Sequence, residues 1–385
     1  MKKQLTIAVL LATSIYGDSI SYLNSIRSSV GLNTLSEEIH LKRASTNHAK
    51  YLVEHSINSH YEKDGKYFTG KTPSMRVIKS GYPSKDVKEN IATNAKSEKE
   101  AIDILFSAIY HRFVFLDFDI DQVGVGISSK DGSKSAYVYD MGLSSVAKLC
   151  SEDFLTLDGE FYIQNLCRDE MKYVPKSAYQ KAKKMVEKSN PKMVIFPPNE
   201  AKEVIPAFFD ETPHPMPGYK VSGYPVSVEL NPYYYQDIKV KKFRLYDSKG
   251  KMIRVKLLKS SNDRNHKLKP YEFAIIPKQR LEYNSNYKAY FEAYTDKGMV
   301  KKEWHFKTKS FDKPFYKIEK DYSTLKLFGN RNIVLYFKPK NRKDVITKIK
   351  GINTTTKFID ANTVEVKVLK FPATIELGRK KLIIK

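Results

Sequence analysis

The chain is poor in the residues that announce a mechanism. Its 385 residues include two cysteines and one tryptophan, which rules out a disulfide-dense scaffold and a cysteine-rich metal cluster. No Gly-x-Ser-x-Gly elbow and no His-Glu-x-x-His pair occurs, so neither a serine-hydrolase nucleophile nor a helix-borne zinc site can be read locally. Acidic residues are scarce, 43 against 67 Lys and Arg, giving a net charge of +24, or +22 without Lys2 and Lys3. Such a balance permits attraction to nucleic acid, anionic lipid or acidic envelope polymers. The lysines, however, are spread along the whole chain, with no Arg-rich block or nucleic-acid motif, which describes a solvated basic surface with no nucleic-acid partner. No strict repeat and no low-complexity tract interrupts the chain.

Long apolar runs are missing as well. Leu5–Ile15 is short for a membrane span. With Lys2 and Lys3 before it and Ala12-Thr13-Ser14 (or Gly17) as small residues for cleavage, residues 1–17 read as a secretory signal peptide. The expected locale is secreted or periplasmic, with no transmembrane segment. In an exported chain the cysteine pair, Cys150 and Cys167, reads as a disulfide contributing roughly 3 kcal/mol. A zinc pair is the other reading, but no further Cys or His lies close in sequence to complete four ligands.

Periodicity divides the rest. Over 18–143 helical spacing dominates. Ile20, Leu23 and Ile26 predict one helix. A second is predicted from Ser36 as cap, with Leu41, Ala44, His48 and Leu52 on one face. Thr72-Pro73 opens a third that Gly81 ends. Ser97-Glu98-Lys99-Glu100 reads as a capping box for a helix carrying Ala101, Ile102, Leu105, Phe106 and Ile109 inward and closed by His111-Arg112. Val123–Ile127 and Ala136–Tyr139 read as strands joined by an Asp131-Gly132 turn. Residues 144–191 read as a linker with both cysteines and a helix at Ser177–Lys188. From Met193 alternation replaces helical spacing: short strands over 192–310 suggest a β-sandwich, and 311–385 a small β-rich unit. The fold class is α+β.

The first third holds Leu23-Asn24, Arg27 and Gly31-Leu32; His48-Ala49; Thr72-Pro73, Arg76 and Gly81-Tyr82; Glu89-Asn90-Ile91-Ala92; His111-Arg112; and Val123-Gly124-Val125-Gly126. In this order they resemble the CAP superfamily of cysteine-rich secretory, insect venom antigen and plant pathogenesis-related proteins, and most of all its bacterial secreted branch. The resemblance implies an α-β-α sandwich with a cleft. It assigns the cleft histidines to His60 and His111 and an acid to Glu89, with Asn90 beside it; His55 competes with His60. The family's second acid would fall near Ala108 and is missing. Phe196-Pro197-Pro198-Asn199 and Gly223-Tyr224-Pro225-Val226 resemble an immunoglobulin-like module often appended to bacterial CAP domains.

Two imidazoles and a carboxylate can hold Zn²⁺ or another divalent ion with a position left for water. In that account His60 and His111 are the ligands, and Glu89 and His111 the catalytic candidates of a metal-dependent hydrolase. His48 and His55 stand about 10 Å apart along their helix, too far to share one ion. Against this, Glu89 reads equally as a buried carboxylate locking a loop, and His111 as a capping group. With the acid set incomplete and no nucleophile, the expectation leans away from an enzyme, toward an exported binding or interaction module for a small-molecule, lipid or envelope ligand. A structural envelope or adhesion module with a vestigial cleft is the third account.

Overall fold

The computed structural model describes residues 19–130, 134–378 and 380–385. The expected leader over 1–17 and the Asp131-Gly132 turn lie outside them. The chain forms two compact units. One gathers most of 19–104 with 119–186; the other takes 105–118 and 187–385 together with 30–32.

In the first unit, helices α1 (Ser19–Ser29), α2 (Ile39–His55) and α3 (Pro73–Ser80) follow the predicted periodicity. Strands β1 (Ser36–Glu37), β2 (Lys88–Thr93), β3 (Gln122–Lys130) and β4 (Lys134–Gly142) make one sheet in the order β1-β3-β4-β2. Glycine makes the helix–sheet packing possible. A Cβ on Gly124 would stand 2.0 Å from the Lys42 amide nitrogen, and one on Gly126 2.0 Å from the Ser45 carbonyl carbon, so only bare backbone lets α2 lie this close to β3. Ala49, Leu52, Ile91, Ala136 and Val138 fill the layer between α2 and the sheet.

Two local expectations are corrected. Ser36 does not cap α2. The Ser36 and Glu38 amides donate to the carbonyls of Asp121 and Val123, so 36–37 join the sheet as the parallel strand β1. Glu38 becomes the cap, its carboxylate accepting the Leu41 N–H at 2.6 Å. The helix opened at Ser97 also does not run through to His111-Arg112. It ends at Ser107 (α4, Glu98–Ser107), and α5 (Ile109–Phe115) starts afresh after an extended Ala108. A continuous helix would send the Tyr110 N–H to the Phe106 carbonyl. Here that carbonyl accepts from Arg112 Nε at 2.6 Å and from the Tyr224 hydroxyl.

The predicted linker has a core of its own. Helices α6 (Ser144–Leu149) and α7 (Lys176–Ser189) enclose Leu143, Val146, Leu149, Leu166 and Val174, and Cys150 and Cys167 form the disulfide. Among the described residues no helix is long and apolar enough to cross a membrane.

The second unit is β-rich, as its alternation predicts. One four-stranded sheet orders 255–259, 272–277, 226–230 and 193–196; another orders 239–247, 286–295, 298–308 and 201–204. Phe273 of the first meets Phe291 of the second at 5.9 Å between ring centres, and Trp304 is fully buried. Two further four-stranded sheets within 315–384 enclose Ile333, Leu335, Val364, Val366, Ile375 and Leu382. Arg280 ties this last part to the rest of the unit through a two-pronged bond to Asp360, 2.8 and 2.7 Å long.

Candidate functional site

Glu89 and Asn90 lie buried in β2. The loop between α2 and α3 brings His60 to Glu89, and the two side chains meet with His60 Nδ1 2.8 Å from Glu89 Oε1. The other Glu89 oxygen accepts from Arg76 Nη2 at 2.5 Å. Arg76 is carried by α3 and is fully buried. Its Nη1 donates to the His60 carbonyl at 3.0 Å, so one guanidinium fixes both members of the pair. The Thr72 cap and Pro73 set the start of α3, and with it the place of Arg76.

A second pair stands behind the first. Both ring nitrogens of His48 face acceptors, Nδ1 the Glu62 carboxylate at 2.8 Å and Nε2 the Ser59 carbonyl at 3.0 Å. Glu62 also accepts the Thr69 and Gly70 N–H groups at 2.7 and 3.1 Å. His48 and Glu62 are sealed from water. Burial pushes the Glu62 carboxyl up, but the His48 bond and the two amides outweigh it and hold it below the usual carboxylate range. Glu89 behaves alike: burial raises it, while the His60 bond and the charges of Arg76 and His48 bring it below its ordinary value.

Asp140 completes the cluster from β4. It stands directly opposite Glu89 in the β2–β4 ladder. It is wholly buried, and among the described residues neither carboxyl oxygen has a hydrogen-bond donor. Burial first, then the Glu89 charge, push its carboxyl well above the usual range against the opposing pull of Arg76. Two facing carboxylates cannot both ionise cheaply, so Asp140 keeps the proton and Glu89 the charge.

His60 is the cluster's outlet. Its side chain is 44% exposed, against 1% for Glu89. His55, the last residue of α2, points elsewhere, its Nε2 on the Lys66 carbonyl at 3.0 Å.

His111 falls in the second unit. Its Nδ1 lies 2.9 Å from Glu211 Oε1. The same carboxylate accepts the N–H groups of Ile109, Tyr110 and His111 at 2.8, 2.8 and 3.2 Å. Ala108 offers no side-chain cap to α5, and Glu211 supplies one from about a hundred residues downstream. Arg112 is fully buried between the Phe196 and Tyr224 rings and donates to the Pro225 carbonyl at 2.8 Å.

Of the sequence-based trio, His60 and Glu89 meet within the first unit, and His111 pairs with Glu211 within the second. Missed from sequence were Asp140 and Glu62 as cluster members, and the roles of His48 and Arg76. A charged residue inside the apolar run Tyr137-Val138-Tyr139-Asp140-Met141 was the available signal for Asp140.

A divalent ion does not fit this donor set. Both Glu89 oxygens are engaged, one of them by a buried cation. Among the described residues no group of three His, Cys, Asp or Glu side chains could hold a metal ion.

The α2–β3 packing, the buried Glu-Asn strand and the His60–Glu89 pair define a CAP-type domain, and the comparison with known families agrees. The model of the cysteine-rich secretory protein family (CAP) matches residues 20–154, and this part of the chain is a CAP domain. Among solved structures it is similar to an outer surface protein from Borrelia burgdorferi, at 18% identity and a TM-score of 0.29, over 32% of this chain and 88% of that one. It is also similar to an extracellular protein containing a SCP domain from Bacillus anthracis str. Ames, at 21% identity and a TM-score of 0.29, over 32% of this chain and 39% of that one. No curated protein matches the chain.

Proposed function

We propose that this is an exported binding protein whose CAP domain recognises one polar group of a small-molecule or lipid-like ligand through His60 and leaves it chemically unchanged. The observation that carries this is the state of Glu89. It is buried, spent on His60 and Arg76, and held below the usual carboxylate range. A general base must reach a proton and want it; Glu89 does neither. What it does is hold Nδ1 of a half-exposed imidazole, turning the Nε2 edge into a fixed recognition point. Export is supported by the disulfide, which uses both cysteines. The β-rich unit, immunoglobulin-like in its sequence accent, serves as spacer or docking surface.

One observation favours a second reading. A carboxylate on Nδ1, with no partner on Nε2 among the described residues, is also how an imidazole is oriented as a general base, which moves the hydrolase role from Glu89 to His60. One assay separates the two. The purified protein is incubated with casein, a p-nitrophenyl ester and purified cell-wall fragments, with and without added zinc, beside its Glu89→Gln and His60→Ala variants. The binding reading expects no turnover from any of the three, and retention on sterol-containing vesicles or a small-molecule panel that His60→Ala abolishes. Turnover lost in both variants with melting unchanged overturns it in favour of the dyad.

A further inference from the structure

We propose that the β-rich unit carries a second ligand site, a cleft that binds a polymer segment bearing phosphate or sulfate esters, with Arg254, Lys278 and Arg342 as its anion-holding groups. A cavity of about 780 Å³ opens in this unit, a size suited to a ligand much larger than one inorganic ion. Six cationic side chains line it, Arg254, Lys278, Arg280, Lys338, Lys340 and Arg342, against Glu282 and Glu319. The acids are already used: Glu282 meets Lys317 at 2.9 Å, and Glu319 meets Lys317 and Lys338 at 3.4 and 3.2 Å. Three of the cations are used too. Arg280 is locked to Asp360, Lys340 bonds Asp321 at 2.5 Å, and Lys338 is the Glu319 partner.

Arg254, Lys278 and Arg342 have no carboxylate partner among the described residues, and the backbone fixes where they stand. The Lys278 N–H donates to the Arg254 carbonyl at 2.9 Å, just beyond the paired Val255 and Pro277. Two like charges one ladder step apart repel, and an anion between them removes that cost. The Arg342 carbonyl accepts the Lys220 and Val221 N–H groups at 2.7 and 3.2 Å. Its guanidinium lies 5.0 Å from the Tyr219 ring centre. A guanidinium held over a ring keeps N–H groups with which to grip two oxygens of one ester.

The cleft favours a backbone without bases. Strand-tracking nucleic-acid sites offer aromatic faces on which bases stack. Of the two rings here, Tyr336 is buried with Arg280 over it, and Tyr219 carries Arg342. The net charge of +24 adds long-range steering toward any polyanion.

The test is titration calorimetry on the full chain with dextran sulfate, poly(glycerol phosphate), single-stranded DNA of equal charge, and inorganic phosphate. We expect one ester polymer to bind more tightly than the DNA and far more tightly than phosphate, its identity naming the ester. The triple change Arg254→Ala, Lys278→Ala, Arg342→Ala should weaken that binding at least tenfold. Lys249→Ala, Lys301→Ala, Lys302→Ala removes the same charge from exposed positions and should change it less than twofold. Circular dichroism confirms that both fold, and His60→Ala should leave this binding intact, separating it from the CAP site. Equal loss in both triple variants, tighter binding of DNA, or no polymer binding at low salt each overturns the proposal.

Discussion

Two of the histidine–glutamate pairs in this molecule, His60–Glu89 at 2.8 Å and His111–Glu211 at 2.9 Å, are of nearly equal length. The bond is the same and the work differs. Behind Glu89 stand a buried guanidinium and a carboxyl whose ionisation is pushed well above the usual range, and in front of it an imidazole 44% exposed. Behind Glu211 stand three backbone N–H groups of a helix start, and its histidine is 18% exposed. One glutamate is an ionic anchor that presents a side chain to solvent. The other satisfies orphan amides and completes a helix. A motif that names histidine and glutamate cannot tell these apart; the groups behind the carboxylate can.

The largest expected effect tests the ionic anchor. Arg76→Met should cost about 3–5 kcal/mol, because Glu89 is left as a buried charge without its cation while Glu62 and Asp140 crowd behind it. Urea unfolding followed by circular dichroism reads this directly. A loss below about 1 kcal/mol would mean that the cluster is solvated and the anchor is illusory.

Next in size is the helix-completing glutamate. Glu211→Ala should cost about 2 kcal/mol, since three amides lose their acceptor. Glu211→Gln should restore much of it, because the amide oxygen still accepts. Hydrogen exchange at residues 109–111 should speed up in the alanine variant alone. If glutamine proves as damaging as alanine, then charge rather than capping matters at Glu211, and the two pairs are of one kind.

What sequence could show follows from the range of the interactions involved. Helix α3 was legible because Thr72, Pro73 and Gly81 act within one segment. The strands after Met193 were legible because alternation is local. Helix α5 was not, because the carboxylate that restarts the chain after Ala108 lies at Glu211, and its competition for the Phe106 carbonyl comes from Arg112 and Tyr224. Ser36 looked like a cap until the Asp121 and Val123 carbonyls claimed its strand. At the site, Glu89 and His60 were found by motif, whereas Asp140 was hidden because only the β2–β4 register sets it against Glu89.

The smallest effect sharpens the comparison most, because only one of the two pairs is backed by a second acid. Between the ordinary aspartate value near 3.9 and its raised folded value, Asp140 holds a proton that the unfolded chain has released. The folded state therefore loses stability as pH rises through that window, by up to about 1.4 kcal/mol per unit. Glu89 and Glu62, held low, act in the opposite sense: their contribution is present at neutral pH and is lost as pH falls below the ordinary glutamate range. Asp140→Asn removes the proton requirement and keeps an N–H to offer Glu89. At pH 7 it should raise the melting temperature by about 3 °C or more, and the gain should shrink to nothing near pH 4. A variant less stable than its parent at pH 7 would show that Asp140 is ionised and held by a donor, which would make the Glu89 cluster a fully satisfied network like the one around Glu211.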